Sequence, residues 1–194
     1  MLEAAEMLDA SLDRLAGVDW ASLGTAAHGE MLACLQRAQT KLTAVNAAVL
    51  SAFTAQSGYE PDGHRSARAW LVNRNGMSKG AAGAAVGWGK RLRRHGRIAA
   101  VMAAGDITES WAREIAGWTD KLPAEKRDEA DAILLDAAAA GVPLVDLGIL
   151  ALNIWETWKA QHPDPDDGNG NNGDEDGFED RSLRLGTTFA VRAG

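Results

Sequence analysis

The chain has 194 residues, of which 46% are hydrophobic, and a formal net charge of -7, as expected of one substantial folded core with some appended material. Its single cysteine, Cys34, excludes an intrachain disulfide and a multi-cysteine zinc site and favours a reducing compartment. The N-terminus carries acidic residues where a secretory signal carries basic ones, and no apolar run approaches the roughly 18 residues of a membrane span. We therefore expect a cytoplasmic protein that makes no contact with a membrane.

Charge is segregated along the chain. Residues 61–100 contain nine basic side chains and one acidic side chain, whereas acidic residues outnumber basic ones in 1–60, 101–160 and 161–194. Charges further apart than a Debye length of about 8 Å are screened. The basic segment can therefore meet a polyanion or an acidic protein surface despite the acidic balance of the whole chain.

Helical periodicity extends from the N-terminus to about His162. A first predicted helix ends at Gly17 and has one apolar face: Leu8, Leu12 and Leu15. A second helix is predicted over 26–57, with Thr25 as its N-cap, Gly58 as its C-terminal stop and Cys34 buried within its apolar pattern. Its apolar residues alternate steps of four and three, as in an a/d heptad seam: Met31, Leu35, Ala38, Leu42, Val45, Val49 and Ala52.

Shorter helices follow, each with its own start and stop signals. They are predicted over 66–76, 78–96, a short segment to 105, 108–120, 123–141 and 143–162. The sequence thus predicts a mostly α fold, a multi-helix bundle with one long helix and helix-turn-helix-like corners.

The composition changes abruptly at residue 164, to "DPDDGNGNNGDEDGFED". Such a segment cannot bury enough apolar surface to order itself, so a flexible linker is predicted. Beyond it, Leu183, Leu185 and Phe189 have strand spacing. A lone strand lacks partners for its backbone groups, so we expect a strand cut off from its partners in a longer protein. The predicted organisation is a helical domain at 1–163, an acidic linker at 164–180 and the start of a strand region at 181–194.

The segment 66–94 has the pattern of a helix-turn-helix, with Gly76, Met77 and Ser78 at its corner. The predicted nucleic-acid-binding residues surround it: Arg65, Arg68, Arg74, Lys79, Lys90, Arg91, Arg93, Arg94 and Arg97. Such a patch can neutralise phosphates. Only Lys79 in the first turn of the second helix is suited to base edges, which weakens any sequence-specific role. A solvated basic end on a tightly packed helix is the structural alternative.

Three glycines of this second helix, Gly80, Gly83 and Gly87, share one face, where another backbone could approach closely. A second corner lies at 105–108, but its acidic neighbours Asp106 and Glu109 oppose phosphate contact, which favours a structural role. The tryptophans of the helical patterns are expected in the core rather than as base-stacking platforms.

Catalytic and metal motifs are absent from the sequence. The four histidines are scattered, and no glycine-rich phosphate loop is present. The stretch "NGDEDGFEDRSL" has calcium-loop spacing, but Leu183 stands where the bidentate glutamate belongs. We therefore predict no catalysis by this chain and no bound metal or cofactor.

Several longer motifs occur in a recognisable order. They are "GYEPDGHRSARAWLVNRNGMSKGAAGAAVGWGKRL", "MAAGDITESWAREIAGWTDKLP", "RDEADAILLDAA" and "RSLRLGTTF". In these motifs the chain, over about residues 26 to 190, resembles the bacterial domain-of-unknown-function family 222, also called the 13E12 repeat family. The resemblance implies a mostly helical N-terminal region of proteins that often continue into an HNH nuclease domain.

The chain departs from this family in the predicted recognition helix. Residues 80–83 are Gly-Ala-Ala-Gly where the family commonly has Glu-Ala-Arg-Arg, so basic side chains are missing from the predicted recognition helix. No His-Asn-His site is present, so no catalytic residue carries over from the longer relatives.

Two functions fit these patterns. The first is a non-catalytic helical module that binds DNA through the phosphates contacted by its basic segment. The alternative is a dimerisation or protein-interaction module with no nucleic-acid role. In that case the seam 31–52 pairs with a second copy, and the basic segment docks on an acidic one such as residues 101–160.

Overall fold

The computed structural model describes residues 2–163, and this part of the chain is all α. Its elements are α1 Leu2–Ala16, a short 3-10 helix Trp20–Ser22, α2 Thr25–Ala55, α3 Ala67–Arg74, α4 Lys79–Arg94, α5 Gly96–Ala104, α6 Glu109–Thr119, α7 Ala124–Ala139 and α8 Leu144–Gln161. The predicted mostly α bundle with one long helix is confirmed. The predicted linker, the calcium-loop-like stretch and the terminal strand lie outside the described residues.

Local capping signals define most helix starts. The side-chain oxygens of Ser66, Ser78 and Thr108 each accept a hydrogen bond from the backbone N–H three residues later, as N-caps do. The long helix differs from its prediction at both ends. Gly24, not Thr25, is its N-cap, and Ser57 rather than Gly58 takes the left-handed conformation after its end, with φ 51°.

The core is organised around α5, which packs against α2, α4, α6 and α7. The completely buried large apolar side chains come from four consecutive helices: Ile98, Met102, Ile115, Leu134 and Leu147. The helix α8 closes the bundle against α6 and α7. Within residues 2–163, no helix combines the length and the apolar character needed to cross a membrane.

The helix α2 packs on α4 and α5 along only part of its length. Its buried residues are Thr40, Ala44 and Ala47. Facing them on α4, Gly89 permits close approach, since a Cβ there would lie 3.1 Å from Ser51 Oγ. Residues 32–39 are all exposed, and the prediction of a buried Cys34 is wrong because this part of the helix extends beyond the packed bundle.

A buried polar cluster fastens the α4–α5 corner to α6 and α7. His95 lies between α4 and α5 and is 1% exposed. Its Nδ1 lies 2.7 Å from Asp131 Oδ2, and its Nε2 lies 3.0 Å from Asp120 Oδ1. Thr119 Oγ1 donates to the other carboxylate oxygen of Asp131, at 2.6 Å. Both ring nitrogens of His95 therefore face carboxylate oxygens, one from the end of α6 and one from α7.

Replacement of Asp131 by alanine should strongly destabilise the fold. Asp131→Ala leaves the buried groups of His95 and Thr119 without this acceptor, and breaking such a pair costs about 3 kcal/mol or more. Asp128→Ala on the same helix removes only an exposed ion pair to Arg97 and should cost less than about 1 kcal/mol. Urea unfolding of both variants measures the difference, and equal losses would contradict a structural role for the cluster.

Candidate nucleic-acid interface

The helices α3 and α4 form a tight corner. After α3, Gly76 adopts φ 67°, a left-handed conformation that glycine takes without strain. The next backbone N–H, of Met77, donates to the carbonyl of Leu71 at 3.3 Å, and Ser78 caps α4. The two helices pack against each other. The structure thus places the glycine, the apolar residue and the cap at the turn, in the order that the sequence predicts.

The nine predicted binding residues fall into two groups. Four of them make ion pairs: Arg74 with Asp62, Arg91 and Arg94 with Asp120, and Arg97 with Asp128. The other five have no ion-pair partner among residues 2–163: Arg65, Arg68, Lys79, Lys90 and Arg93. The side chain of Arg68 is directed to α4, where its Nε donates to the carbonyl of Lys79 at 3.2 Å. The basic segment is therefore partly neutralised within the fold.

Asp120 makes ion pairs with two of these arginines, Arg91 and Arg94. Its Oδ2 lies 2.8 Å from Arg91 Nε, and its Oδ1 lies 3.0 Å from both Arg94 and His95. Burial raises the pKa of Asp120, but the hydrogen bond from His95 and the charges of Arg91 and Arg94 outweigh it and hold that pKa below its ordinary value. Asp120 is therefore ionised at neutral pH and anchors the C-terminal end of α4.

The exposed surface of α4 has an unusually simple composition. Every exposed residue of this helix is Lys, Arg, Gly or Ala: Lys79, Gly80, Ala81, Ala84, Gly87, Lys90, Arg93 and Arg94. At Gly80 and Gly87 an added Cβ would meet nothing within 4 Å. Gly89 packs against α2, and a Cβ at Gly83 would lie 3.4 Å from Arg68 Nε of α3. Gly80 and Gly87 do not serve the helix packing that their spacing suggested.

The second corner has a packing role. Gly105 and Ile107 are buried there, and Glu109 accepts a hydrogen bond from Thr43 of α2 at 2.9 Å.

Arg113 lies over the ring of Trp88, 4.2 Å from the ring centroid. Trp88 is only 4% exposed, so its ring is covered on this side and serves the core.

Sequence reasoning missed His95 and Asp120 as organisers of the basic segment. They are 25 residues apart and belong to different helices, so no local spacing links them. The only local signal is the position of Asp120 directly after α6. His95 is completely buried with both ring nitrogens engaged, which makes it a structural residue. Among residues 2–163, no three His, Cys, Asp or Glu side chains are grouped to hold a metal ion.

The contribution of Asp120 to stability should depend on pH. Because its folded-state pKa is lowered, the stabilisation is complete above the unfolded-state value of 3.8 and is lost as the pH falls through the folded value. At neutral pH, Asp120→Asn should lower the free energy of unfolding by about 2 kcal/mol. The difference in the free energy of unfolding between this variant and wild type should narrow below pH 3.8. Urea unfolding across a pH series measures this difference.

The matched control is Asp136→Asn, at an exposed aspartate of α7 with no ion pair among the described residues. Its difference from wild type should be small at every pH. If the difference in unfolding free energy between Asp120→Asn and wild type stayed constant on acidification, this result would contradict a stabilising role for the Asp120 charge.

Comparison with known proteins identifies a family. The family model described as "Domain of unknown function (DUF222)" matches residues 29–188. No curated protein and no solved structure matches the chain. Since the matched segment covers most of the 194 residues, the chain belongs to the DUF222 family.

Proposed function

We propose that this chain is a non-catalytic helical module that binds DNA through the phosphate backbone. The observation that carries the proposal is the exposed surface of α4, which consists only of Lys, Arg, Gly and Ala. A surface of this kind presents positive charge without any acidic or bulky side chain. It suits the approach of a polyanion.

Close approach is possible along the middle of α4. Gly80, Ala84 and Gly87 are exposed and have little or no side chain. Lys79 and Lys90 lie at either end of this small-residue surface, about 16 Å apart along the axis at the helical rise per residue. The major groove of B-DNA is about 12 Å wide. Flexible lysine side chains at this separation can reach phosphates on both of its edges.

The charges available to DNA are mainly those that the fold leaves unpaired. We propose that Lys79, Lys90 and Arg93 make the principal contacts, with Arg65 and Arg68 beside them. Arg91, Arg94 and Arg97 remain 39%, 53% and 55% exposed in their ion pairs. Exposed ion pairs are worth about 1 kcal/mol or less, so these arginines can exchange a carboxylate for a phosphate.

The proposed binding has little sequence preference. Base edges are read mostly by Arg, Asn and Gln near the start of a recognition helix, and the first turn of α4 offers only Lys79. DNA is the proposed nucleic acid because the resemblance to the 13E12 repeat family implies the N-terminal region of proteins that often continue into an HNH nuclease domain. On that basis the module would bring a longer protein to DNA without catalysing a reaction itself.

A second candidate is the helical interaction module with no nucleic-acid role. It is favoured by the ion pairs of Arg91, Arg94 and Arg97, which join the basic segment to acidic residues of 101–160 within one chain. In this case the basic charges serve mainly to hold α4 and α5 on α6 and α7.

A charge-removal experiment separates these two functions. Fluorescence anisotropy of a labelled random-sequence duplex is titrated with the full chain at several salt concentrations. The double variant Lys90→Ala/Arg93→Ala should bind about thirtyfold more weakly, since it loses two contacts and each is worth about 1 kcal/mol. Loss of two phosphate contacts should also reduce the slope of log K against log salt by about two.

The control is Lys126→Ala/Lys159→Ala, which removes two exposed lysines, one on α7 and one on α8, and the same positive charge. This variant should bind as tightly as wild type. If the wild-type chain failed to bind at low salt, or if both double variants lost affinity equally, the assignment of DNA binding to α4 would be wrong.

A further inference from the structure

The long helix α2 has two apolar faces, and the described bundle covers only one of them. Thr40, Ala44 and Ala47 are buried against α4 and α5. The heptad seam lies on the other side of the helix, and at about 100° per residue the centres of the two faces are roughly 165° apart. The seam therefore faces away from the bundle.

Most of the seam is open to solvent. Leu35, Val45 and Val49 are 38%, 54% and 61% exposed, which is high for large apolar side chains in a folded protein. Ala38 and Ala52 are also exposed, and the remaining seam residues, Met31 and Leu42, are partly buried. The seam thus forms an apolar stripe of 22 residues, about 32 Å long.

The preceding helix α1 also lacks a partner among residues 2–163. None of its residues is buried, although it is amphipathic. Leu8 and Leu12 are 44% and 48% exposed on its apolar face. Its opposite side is acidic and carries Glu3, Glu6, Asp9 and Asp13. Two consecutive amphipathic helices therefore present uncovered apolar surface.

We infer that the seam of α2 binds the seam of a second copy of this chain, with α1 of each copy covering its flank. The steps of three and four, sustained from Met31 to Ala52, are the pattern with which two α-helices pair along their length. No charged residue lies in the seam, so two copies of a chain with net charge -7 can meet there without local repulsion.

The number of available helices also favours a second copy. A bundle of four helices buries the apolar faces of all its members, and two α1–α2 pairs supply those four helices. A stable interface needs about 800 Å² per partner. The seam of α2 is about 32 Å long, and the apolar face of α1 adds Leu8 and Leu12 to the surface that such an interface can use. This inference does not depend on DNA binding, although a dimer would carry two α4 surfaces.

The test is the mass of the full chain in solution, measured by sedimentation velocity over a range of concentrations. The wild-type chain should have twice its 20.5 kDa mass. Val45→Glu/Val49→Glu places charges in the seam at two exposed positions and should give a monomer. Because neither side chain is buried in the described bundle, the helical content of this variant by circular dichroism should match that of wild type, and its unfolding should no longer depend on protein concentration.

The matched control makes the same change on another helix. Val145 and Ile149 of α8 are 74% and 55% exposed and have the same spacing, so Val145→Glu/Ile149→Glu should remain a dimer. Leu35→Glu, at a separate seam position, should also dissociate the dimer. A wild-type chain that is monomeric at every concentration, or a dimer that persists in both seam variants, would overturn the inference. The anisotropy titration reports DNA binding separately.

Discussion

The contact of Asp120 with three groups of the α4–α5 region determines how the basic segment is arranged. One carboxylate lies within 3.0 Å of Arg91, Arg94 and His95, and His95 continues the network to Asp131 of α7. These bonds fix the end of α4 against α6 and α7. As a result, two arginines of α4 are turned to the acidic half of the bundle, whereas Lys90 and Arg93 remain without ion-pair partners in residues 2–163.

The helix α4 therefore serves two purposes with one sequence. Its buried side brings Trp88, Gly89 and Leu92 into the core and against α2. Its exposed side combines Gly and Ala with Lys and Arg. Each glycine weakens a helix by about 1 kcal/mol, but it has no side chain that would separate the helix backbone from an approaching molecule. Packing on α2 supplies the support that an isolated helix of this composition would lack. The fold thus stabilises a helix whose outer surface contributes little to the stability of the helix itself.

Sequence predicts the parts of this architecture that depend on local signals. Caps such as Ser66, Ser78 and Thr108 define helix starts because their hydrogen bonds are made within four residues. The bond between His95 and Asp131 joins residues that are 36 apart in the sequence. Only the folded chain therefore reveals this bond and shows which basic residues are neutralised by ion pairs. Periodicity shows that a helix has an apolar face but not what covers that face, which is why Cys34 was expected to be buried and is exposed.

The proposed contact between the exposed side of α4 and DNA phosphates can be tested residue by residue. The most direct measurement is an NMR titration of the ¹⁵N-labelled full chain with a short duplex, following each backbone amide. We expect the amide signals of Lys79, Gly80, Gly87 and Lys90 to shift together on addition of DNA and to return as salt is added, because phosphate contacts are weakened by salt. Shifts confined to α1 or α8, with α4 unchanged, would contradict the proposed contact.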